Sequence, residues 1–89
     1  MLIRRILISP DIMEKIESKH RLKTTVAKEV LSVAPYIEKV GGNQYMAIGL
    51  SYEGYVTIFF KYRSGTVEIT TAYPSTKWQV DLYRRKKKR

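Results

Sequence analysis

Four runs of β-branched and aromatic residues dominate the second half of the chain, and short turns that contain glycine separate them. Runs of this length and composition, bounded by turn residues, are typical of β-strands. They lie at 36–40, 45–51, 55–63 and 66–73. The sequence therefore predicts an antiparallel meander.

The last hairpin of this meander has a defined register. Ser64-Gly65 suits a two-residue hairpin loop, which pairs Arg63 with Thr66 and therefore Lys61 with Glu68. Because side chains alternate along a strand, this pairing predicts one apolar face shared by both strands. That face would consist of Val56, Ile58, Phe60 and Tyr62 opposite Val67, Ile69, Thr71 and Tyr73.

The preceding hairpin allows two loop lengths. A two-residue loop at Glu53-Gly54 would place three apolar side chains of the second strand on the same face as Lys61. A three-residue loop, Tyr52-Glu53-Gly54, with its glycine as a bulge at positive φ, places them beside Ile58 instead. The three residues are Met46, Ile48 and Leu50. The apolar pattern favours the longer loop, because that loop groups them with the apolar side chains of the next strand.

The other face of the sheet combines polar, aromatic and cationic side chains. It would carry Tyr45, Tyr55, Thr57, Phe59, Lys61, Arg63, Glu68 and Thr70. Aromatic rings stack on bases and cations hold phosphates, so such a face suits the floor of a nucleic-acid groove. It equally suits an ordinary solvated face in which Lys61 and Glu68 form a cross-strand ion pair.

A strand and two helices precede the meander. Residues 2–8 have the composition of a strand. The next segment predicts a helix with Asp11 as its cap and Glu14 reaching back. A second helix begins at a threonine cap, Thr24 or Thr25, and ends at the next proline. Each helix has an apolar stripe, formed by Ile12, Met13 and Ile16, then by Val26, Ala27, Val30, Leu31 and Ala34.

A third helix is predicted to follow the meander. It starts at Pro74-Ser75, faces Trp78 and Leu82 inward, and continues into a basic segment at 84–89. The fold class expected is therefore α+β: two N-terminal helices packed on a twisted, mainly antiparallel sheet, with a C-terminal helix.

The net charge of +9 is concentrated at the end of the chain. Six of these charges lie at 84–89, so we expect a single, mildly basic domain at 1–83 followed by a basic tail. Like charges repel, so such a run stays extended unless a polyanion neutralises it. Phosphate backbones are the commonest polyanions, which predicts a nucleic-acid partner, RNA rather than DNA. A solubilising tail and contact with anionic membrane surfaces are the alternatives.

Residue types that the chain lacks disfavour several functions. It has no cysteine and one histidine, which argues against a disulfide, a thiolate nucleophile or a zinc site. There is no glycine-rich phosphate loop and no serine-nucleophile elbow, so we expect neither a metal nor a cofactor. We also expect no signal peptide and no membrane span, and the absence of cysteine suits the cytoplasm.

Several stretches of the chain, taken in order, resemble one protein family. Lys19-His20 precedes a threonine-capped helix, and residues 44–49, QYMAIG, resemble the arginine-tyrosine-x-x-isoleucine-glycine stretch of the BrnT branch of the RelE-like toxin superfamily. Residues 56–65 resemble its core hairpin. Residues 69–74, followed by a basic helix, resemble the last strand of RelE-like and barnase-like ribonucleases. Together the stretches cover most of residues 15–86.

The resemblance implies a toxin of a type II toxin–antitoxin pair. Such a toxin is a metal-independent endoribonuclease that acts on RNA, including ribosome-bound mRNA, and is held inactive by a small acidic antitoxin protein. BrnT-like toxins usually have serine-alanine-arginine where this chain has Thr71-Ala72-Tyr73. A tyrosine thus replaces the arginine expected at the scissile phosphate, and some RelE relatives do use a tyrosine near the C-terminus.

RNA cleavage of this kind needs a base for the 2′-hydroxyl, cations for the phosphate and an acid for the leaving 5′-oxygen. His20 is the candidate base because histidine is the side-chain type suited to proton transfer near neutrality, although a histidine at a helix end is often only a cap. Lys61 and Arg63 are candidate phosphate ligands. Glu68 is either a base or the partner of Lys61, and Tyr73 is either the acid or a core residue.

The nucleic-acid contacts predicted from the sheet face, the last helix and the tail are Tyr45, Tyr55, Phe59, Lys77, Arg84, Arg85, Lys86, Lys87, Lys88 and Arg89. Two other hypotheses fit the same residues. One is a non-catalytic RNA- or DNA-binding module that uses the same face and tail. The other is a partner-binding domain whose basic surface holds an acidic antitoxin.

Overall fold

The computed structural model describes residues 1–33 and 35–87, which form three helices and a five-stranded sheet. The elements are β1 (Arg5–Leu7), α1 (Pro10–Lys19), α2 (Thr24–Ser32), β2 (Tyr36–Gly41), β3 (Gln44–Ser51), β4 (Gly54–Arg63), β5 (Thr66–Pro74) and α3 (Lys77–Lys87). The strands lie in the order β1-β5-β4-β3-β2, and all neighbours are antiparallel except β1 and β5. The predicted α+β class is confirmed, with a first strand shorter than the predicted 2–8.

Helices α1 and α2 pack against one face of the sheet, called the α1–α2 face below. Its buried side chains are Ile16, Val26, Ala27, Val30 and Leu31 from the helices and Val56, Ile58, Phe60, Val67, Ile69 and Ala72 from the strands. Burial of each large apolar side chain contributes about 1.5–3 kcal/mol, so this layer is the main core. The predicted α2 stripe therefore faces the sheet, as do Ile12 and Ile16 of α1, whereas Met13 is half-buried and does not belong to this layer. Ala34 lies outside the described residues.

The cap of α1 differs from the one predicted. Ser9 is the N-cap residue, and its Oγ accepts a hydrogen bond from the backbone N–H of Ile12 at 3.2 Å. Pro10 follows at the first helical position, where its missing N–H costs nothing. Asp11 lies inside the first turn, so the prediction that it caps the helix with Glu14 was wrong by two residues.

The start of α2 is satisfied from the neighbouring helix. Lys23 occupies the N-cap position and makes no side-chain cap. The backbone N–H and hydroxyl of Thr24 donate instead to Oε2 of Glu17 in α1, at 3.3 and 3.4 Å. The predicted threonine cap was therefore wrong, because a carboxylate from α1 takes that role and joins the two helices.

The loop between β3 and β4 is shorter than predicted. Ser51 pairs with Gly54, which leaves a two-residue loop at Tyr52-Glu53. The Ser51 hydroxyl closes this loop, because it accepts from the N–H of Glu53 at 3.1 Å and donates to the carbonyl of Gly54 at 2.9 Å. The predicted three-residue loop was wrong.

This change of one residue inverts β3 relative to β4. Tyr45 moves to the α1–α2 face, where its ring stacks on Phe60 with centroids 5.7 Å apart. Met46 and Ile48 turn to the opposite face and are still buried there, since α3 packs over β3 and β2 on that side. The apolar pattern misled because helices cover both sides of this strand.

Gly49 brings β3 close to α2. A Cβ atom at this position would lie 2.8 Å from Cγ1 of Val30 and 3.2 Å from Cβ of Pro35. Real Cβ atoms do not approach another heavy atom as closely as the first of these distances. The glycine therefore sets the spacing between α2 and the sheet.

The turn of the β4–β5 hairpin confirms the predicted register. Arg63 pairs with Thr66, and Lys61 pairs with Glu68. The two loop residues, Ser64 and Gly65, have φ values of 49° and 86°. Positive φ at both central positions is characteristic of the hairpin turn whose backbone twist matches the twist of the flanking strands.

A β-bulge interrupts this hairpin farther from the turn. Phe60 pairs with Ile69 whereas Phe59 pairs with Thr71, so Thr70 is an extra residue on β5. Its Oγ1 donates to the carbonyl of Phe59 at 3.0 Å. A bulge of this kind reverses the facing of every residue beyond it.

Tyr73 consequently lies on the opposite face from the one predicted. It pairs with Thr57, and Thr71 pairs with Phe59, while Ala72 pairs with Ile58 on the α1–α2 face. The alternation that placed Thr71 and Tyr73 in the apolar face assumed a regular strand, and the bulge invalidates that assumption.

Helix α3 has a different orientation and a greater extent than predicted. Gln79 is 1% exposed whereas Trp78 is 60% exposed, so the inward facing predicted for Trp78 was wrong. Leu82 is half-buried. The residues from Arg84 to Lys87 belong to the helix, which contradicts an extended tail for this part; Lys88 and Arg89 lie outside the described residues. Within the described residues, no helix combines the length and apolarity that crossing a membrane requires.

Candidate nucleic-acid interface and active site

Six of the residues predicted to act on RNA lie on the sheet face opposite α1 and α2, called the α3 face below. It presents Tyr55, Thr57, Phe59, Lys61 and Arg63 from β4, and Glu68, Thr71 and Tyr73 from β5. Because α3 packs over the adjoining β3 and β2, the side chains of Lys61, Arg63 and Glu68 remain exposed.

Three rings, those of His20, Tyr73 and Phe59, form a ring cluster at the outer edge of β5. The ring centroids of His20 and Tyr73 are 5.8 Å apart, and those of Tyr73 and Phe59 are 6.2 Å apart. His20 caps the C-terminus of α1, where its backbone N–H donates to the carbonyl of Ile16 at 3.1 Å. Since β1 pairs with only residues 66–68 of β5, the end of α1 can reach the edge of β5 at Tyr73.

A hydrogen-bond network beneath α3 holds Tyr73 in place. The Gln79 Nε2 donates to the Tyr73 hydroxyl oxygen at 2.9 Å. The Oε1 atom of the same amide accepts from Oγ1 of Thr57 and from the backbone N–H of Thr76, both at 2.9 Å. Ser75 extends the network, with its hydroxyl 2.7 Å from that of Thr57.

The orientation of the Gln79 amide follows from its partners. A backbone N–H can only donate, so the atom facing Thr76 must be the amide oxygen. The amide nitrogen must then face Tyr73 and donate to its hydroxyl oxygen. The proton of the Tyr73 hydroxyl is therefore not used in this bond and remains available to another acceptor.

Gln79 is a site residue that the sequence predictions missed. The spacing Thr76-x-x-Gln79 is that of a capping box, in which the side chain at the third helical position bonds the N–H of the cap residue. This motif was visible in the sequence. It sets Gln79 inward and therefore turns Trp78 outward.

The exposed charges of the α3 face lie toward the hairpin turn. Lys61 and Glu68 stand directly opposite each other, and Arg63 follows on the same strand face. They border an open depression of about 520 Å³, together with Leu7, Asn43, Tyr62, Ser64 and Thr66. Within the described ranges no ion pair joins Lys61 to Glu68. Lys61 lies two residues, or about 7 Å, along β4 from Phe59 and its ring cluster.

The predicted nucleic-acid contacts are divided by the fold. Phe59 packs against the ring of Tyr73 on the α3 face. The ring of Tyr45 lies on the α1–α2 face instead, so the face predicted for Tyr45 was wrong. Tyr55 contacts α3: its ring meets Tyr83 edge-on at 5.5 Å, and the Arg84 guanidinium lies 5.6 Å from its centre. These contacts attach the basic half of α3 to the sheet.

Two further interactions involve α3 and the neighbouring strand β2. Lys77 and Asp81 form an exposed ion pair at 3.5 Å. On β2, the Tyr36 hydroxyl donates to Oε1 of Glu38 at 2.7 Å, and this hydrogen bond raises the pKa of Tyr36 above its ordinary value while the nearby charge of Arg85 opposes the rise. Among the described residues, no three His, Asp or Glu side chains are grouped as metal ligands.

The structure is thus a small α+β domain with helices on both sides of a five-stranded sheet. No protein-family model and no curated protein matches the sequence. The fold, however, is similar to that of the ribonuclease toxin BrnT from Brucella abortus, with a TM-score of 0.66 and 17% sequence identity. The similarity covers 82% of this chain and 97% of that one. The predicted BrnT-like fold is therefore confirmed.

Proposed function

We propose that this chain is an endoribonuclease toxin of a type II toxin–antitoxin pair, which cleaves RNA by 2′-hydroxyl attack without a metal ion. The observation that carries the proposal is the contact of the His20 and Tyr73 rings at the edge of β5 in a BrnT-like fold. The sequence predicted His20 as the base and Tyr73 as the acid, and the two residues are 53 positions apart in the chain.

The roles of the two residues follow from their environment. The His20 imidazole removes the proton of the 2′-hydroxyl, and the 2′-oxygen attacks the adjacent phosphorus. The bond from phosphorus to the 5′-oxygen breaks, and the Tyr73 hydroxyl protonates the leaving oxygen. Tyr73 suits this role because Gln79 donates to its oxygen and leaves its proton unengaged. The products are a 2′,3′-cyclic phosphate and a 5′-hydroxyl.

The cations of the α3 face supply the electrostatic part of the mechanism. Lys61 and Arg63 are exposed on the same strand face as Phe59, so their charges act on the backbone of a strand bound along β4. Charge that develops on the phosphate in the transition state is stabilised by cations already in position. Glu68, opposite Lys61, orients that lysine or serves as a second base.

The proposed partners are RNA and a small acidic antitoxin. A net charge of +9 is complementary to both, since a basic surface attracts phosphate backbones and acidic proteins alike. The proposed compartment is the cytoplasm, where mRNA is translated.

Incubation of the purified protein with labelled RNA in EDTA tests the reaction. We expect cleavage with 2′,3′-cyclic phosphate ends, because the attacking oxygen belongs to the RNA. A matched RNA carrying 2′-O-methyl groups at every position is the control and should stay intact. Cleavage that EDTA abolishes, or cleavage of the methylated RNA, would contradict the mechanism.

A second candidate function is a non-catalytic RNA-binding module. The observation that favours it is Tyr73, which stands where BrnT-like toxins usually carry an arginine. The same incubation separates the two functions. Tight binding of RNA that stays intact under all conditions would support the binding module.

A further inference from the structure

Trp78 is a large aromatic side chain left in solvent. Its exposed fraction is 60%, and it lies in the first turn of α3. The outward orientation is a consequence of the capping box, since the next residue, Gln79, is drawn under the helix by its bonds to Thr57 and Thr76. The indole is therefore held outward by a rigid hydrogen-bonded anchor and is not a frayed surface residue.

The position of Trp78 is next to the proposed cleavage site. Its neighbour Gln79 bonds Tyr73, and consecutive Cα atoms are about 3.8 Å apart, so Trp78 adjoins the residue that holds Tyr73. A strand whose scissile phosphate lies beside Tyr73 would pass the start of α3 within a nucleotide or two.

The charges around Trp78 favour a polyanion. Lys77 and Asp81 neutralise each other on the same helix surface. Arg85 lies seven residues beyond Trp78, which on an α-helix means two turns, or about 10 Å, along the same side. The Arg85 side chain is exposed there, and that of Lys86 is exposed about 80° around the helix axis. Proteins hold single-stranded nucleic acid by combining aromatic rings, on which bases stack, with cations that follow the backbone.

We infer that Trp78 is a stacking platform for an unpaired RNA base, with Arg85 contacting the phosphate of a neighbouring nucleotide. The inference rests on the proposed action on RNA, but it concerns binding and not cleavage. A base has two flat faces that stack on an indole whatever its identity, so the platform holds any sequence. It positions the strand so that a phosphate lies over the His20–Tyr73 pair.

Fluorescence provides a direct test because Trp78 is the only tryptophan in the chain. The probe is a 2′-O-methyl RNA oligonucleotide, which lacks the hydroxyl that the proposed cleavage requires. Its control is an oligomer of equal length and charge that has no bases. We expect the base-containing oligomer to quench the emission and the abasic oligomer to leave it nearly unchanged.

Variants give the matching affinities, measured by anisotropy of the labelled oligomers. Trp78→Ala should weaken binding of the base-containing oligomer about 5- to 100-fold and leave binding of the abasic oligomer unchanged. Trp78→Phe should retain part of the affinity because it keeps a ring. Tyr52→Ala removes another exposed aromatic side chain, 71% exposed in the β3–β4 loop, and should have no effect.

Several outcomes would overturn the stacking platform. Equal quenching by both oligomers would do so, and so would a Trp78→Ala protein that binds the base-containing oligomer as tightly as the parent. Quenching by an acidic polypeptide such as polyglutamate, but not by RNA, would assign this side of α3 to a protein partner. Unchanged affinity in a Trp78→Ala protein that still cleaves RNA refutes the platform alone. Stacking in a protein that never cleaves RNA refutes the ribonuclease proposal alone.

Discussion

The amide nitrogen of Gln79 lies 2.9 Å from the hydroxyl oxygen of Tyr73 and joins α3 to the last strand of the sheet. The oxygen of the same amide accepts from Thr57 and Thr76, so one buried side chain connects a helix start, a central strand and a candidate catalytic residue. This connection links stability to the geometry of the candidate site.

Gln79→Ala should lower the free energy of unfolding by about 2–3 kcal/mol, because it removes a helix cap and leaves buried hydrogen-bonding groups without partners. Urea denaturation measures the change. Asp81→Ala, which breaks only an exposed ion pair two residues away, should change stability by less than about 1 kcal/mol. Equal effects of the two substitutions would show that the network contributes nothing beyond a surface contact.

His20→Ala should reduce the rate of RNA cleavage at least about 100-fold, since a general base typically contributes that much, and should leave RNA affinity nearly unchanged. Tyr73→Phe should produce a comparable loss because it retains the ring and removes the proton. Tyr52→Phe is the matched control on an exposed loop and should have no effect. Full activity in both His20→Ala and Tyr73→Phe would refute the assigned roles.

Lys61→Ala should reduce cleavage about 100-fold, because it removes a cation that stabilises the phosphate in the transition state. Stability should change by less than about 0.5 kcal/mol, since the side chain is exposed and makes no ion pair within the described residues. Single-turnover kinetics and urea denaturation separate the two effects. Lys15→Ala, on the exposed side of α1, is the control, and an equal loss of activity there would exclude a specific role for Lys61.

Substitution of both Arg85 and Lys86 by glutamine should lower the salt dependence of single-stranded RNA binding. Each phosphate contact contributes about 0.7 to the slope of log affinity against log salt, so the slope should fall by about 1.4. Arg84 is left intact because its guanidinium contacts the Tyr55 ring. The same exchange at Lys15 and Lys19 removes equal charge elsewhere, and an equal fall in slope would show that the position on α3 is irrelevant.

Gly49→Ala should destabilise the protein by about 1–3 kcal/mol, because the added Cβ would lie 2.8 Å from Cγ1 of Val30. In the double variant with Val30→Ala the loss should be smaller than the sum of the two single losses, since Val30→Ala removes the atom in conflict. A double-mutant cycle by thermal or urea unfolding measures the coupling. Strict additivity of the two substitutions would contradict the close approach of α2 and β3.

The sequence alone determined the elements, their order and one hairpin register. Ser64-Gly65 predicted the pairing of Lys61 with Glu68, because a two-residue turn leaves the adjacent pairs no other alignment. The α1 and α2 stripes followed from helical spacing, and His20 and Tyr73 were singled out by the chemistry of their side chains. The capping-box spacing of Thr76 and Gln79 would also have predicted which side of α3 faces the sheet.

Tertiary structure decided which side each strand residue faces. Alternation indicates only that one side is apolar, and it fails where helices cover both sides, as at Met46 and Ile48. It fails again at Thr70, because an extra residue in β5 has no signature in the alternation and yet moves Tyr73 to the other face. The contact between His20 and Tyr73 joins residues distant in the chain, and it forms where β1, which pairs with only residues 66–68, leaves the edge of β5 uncovered.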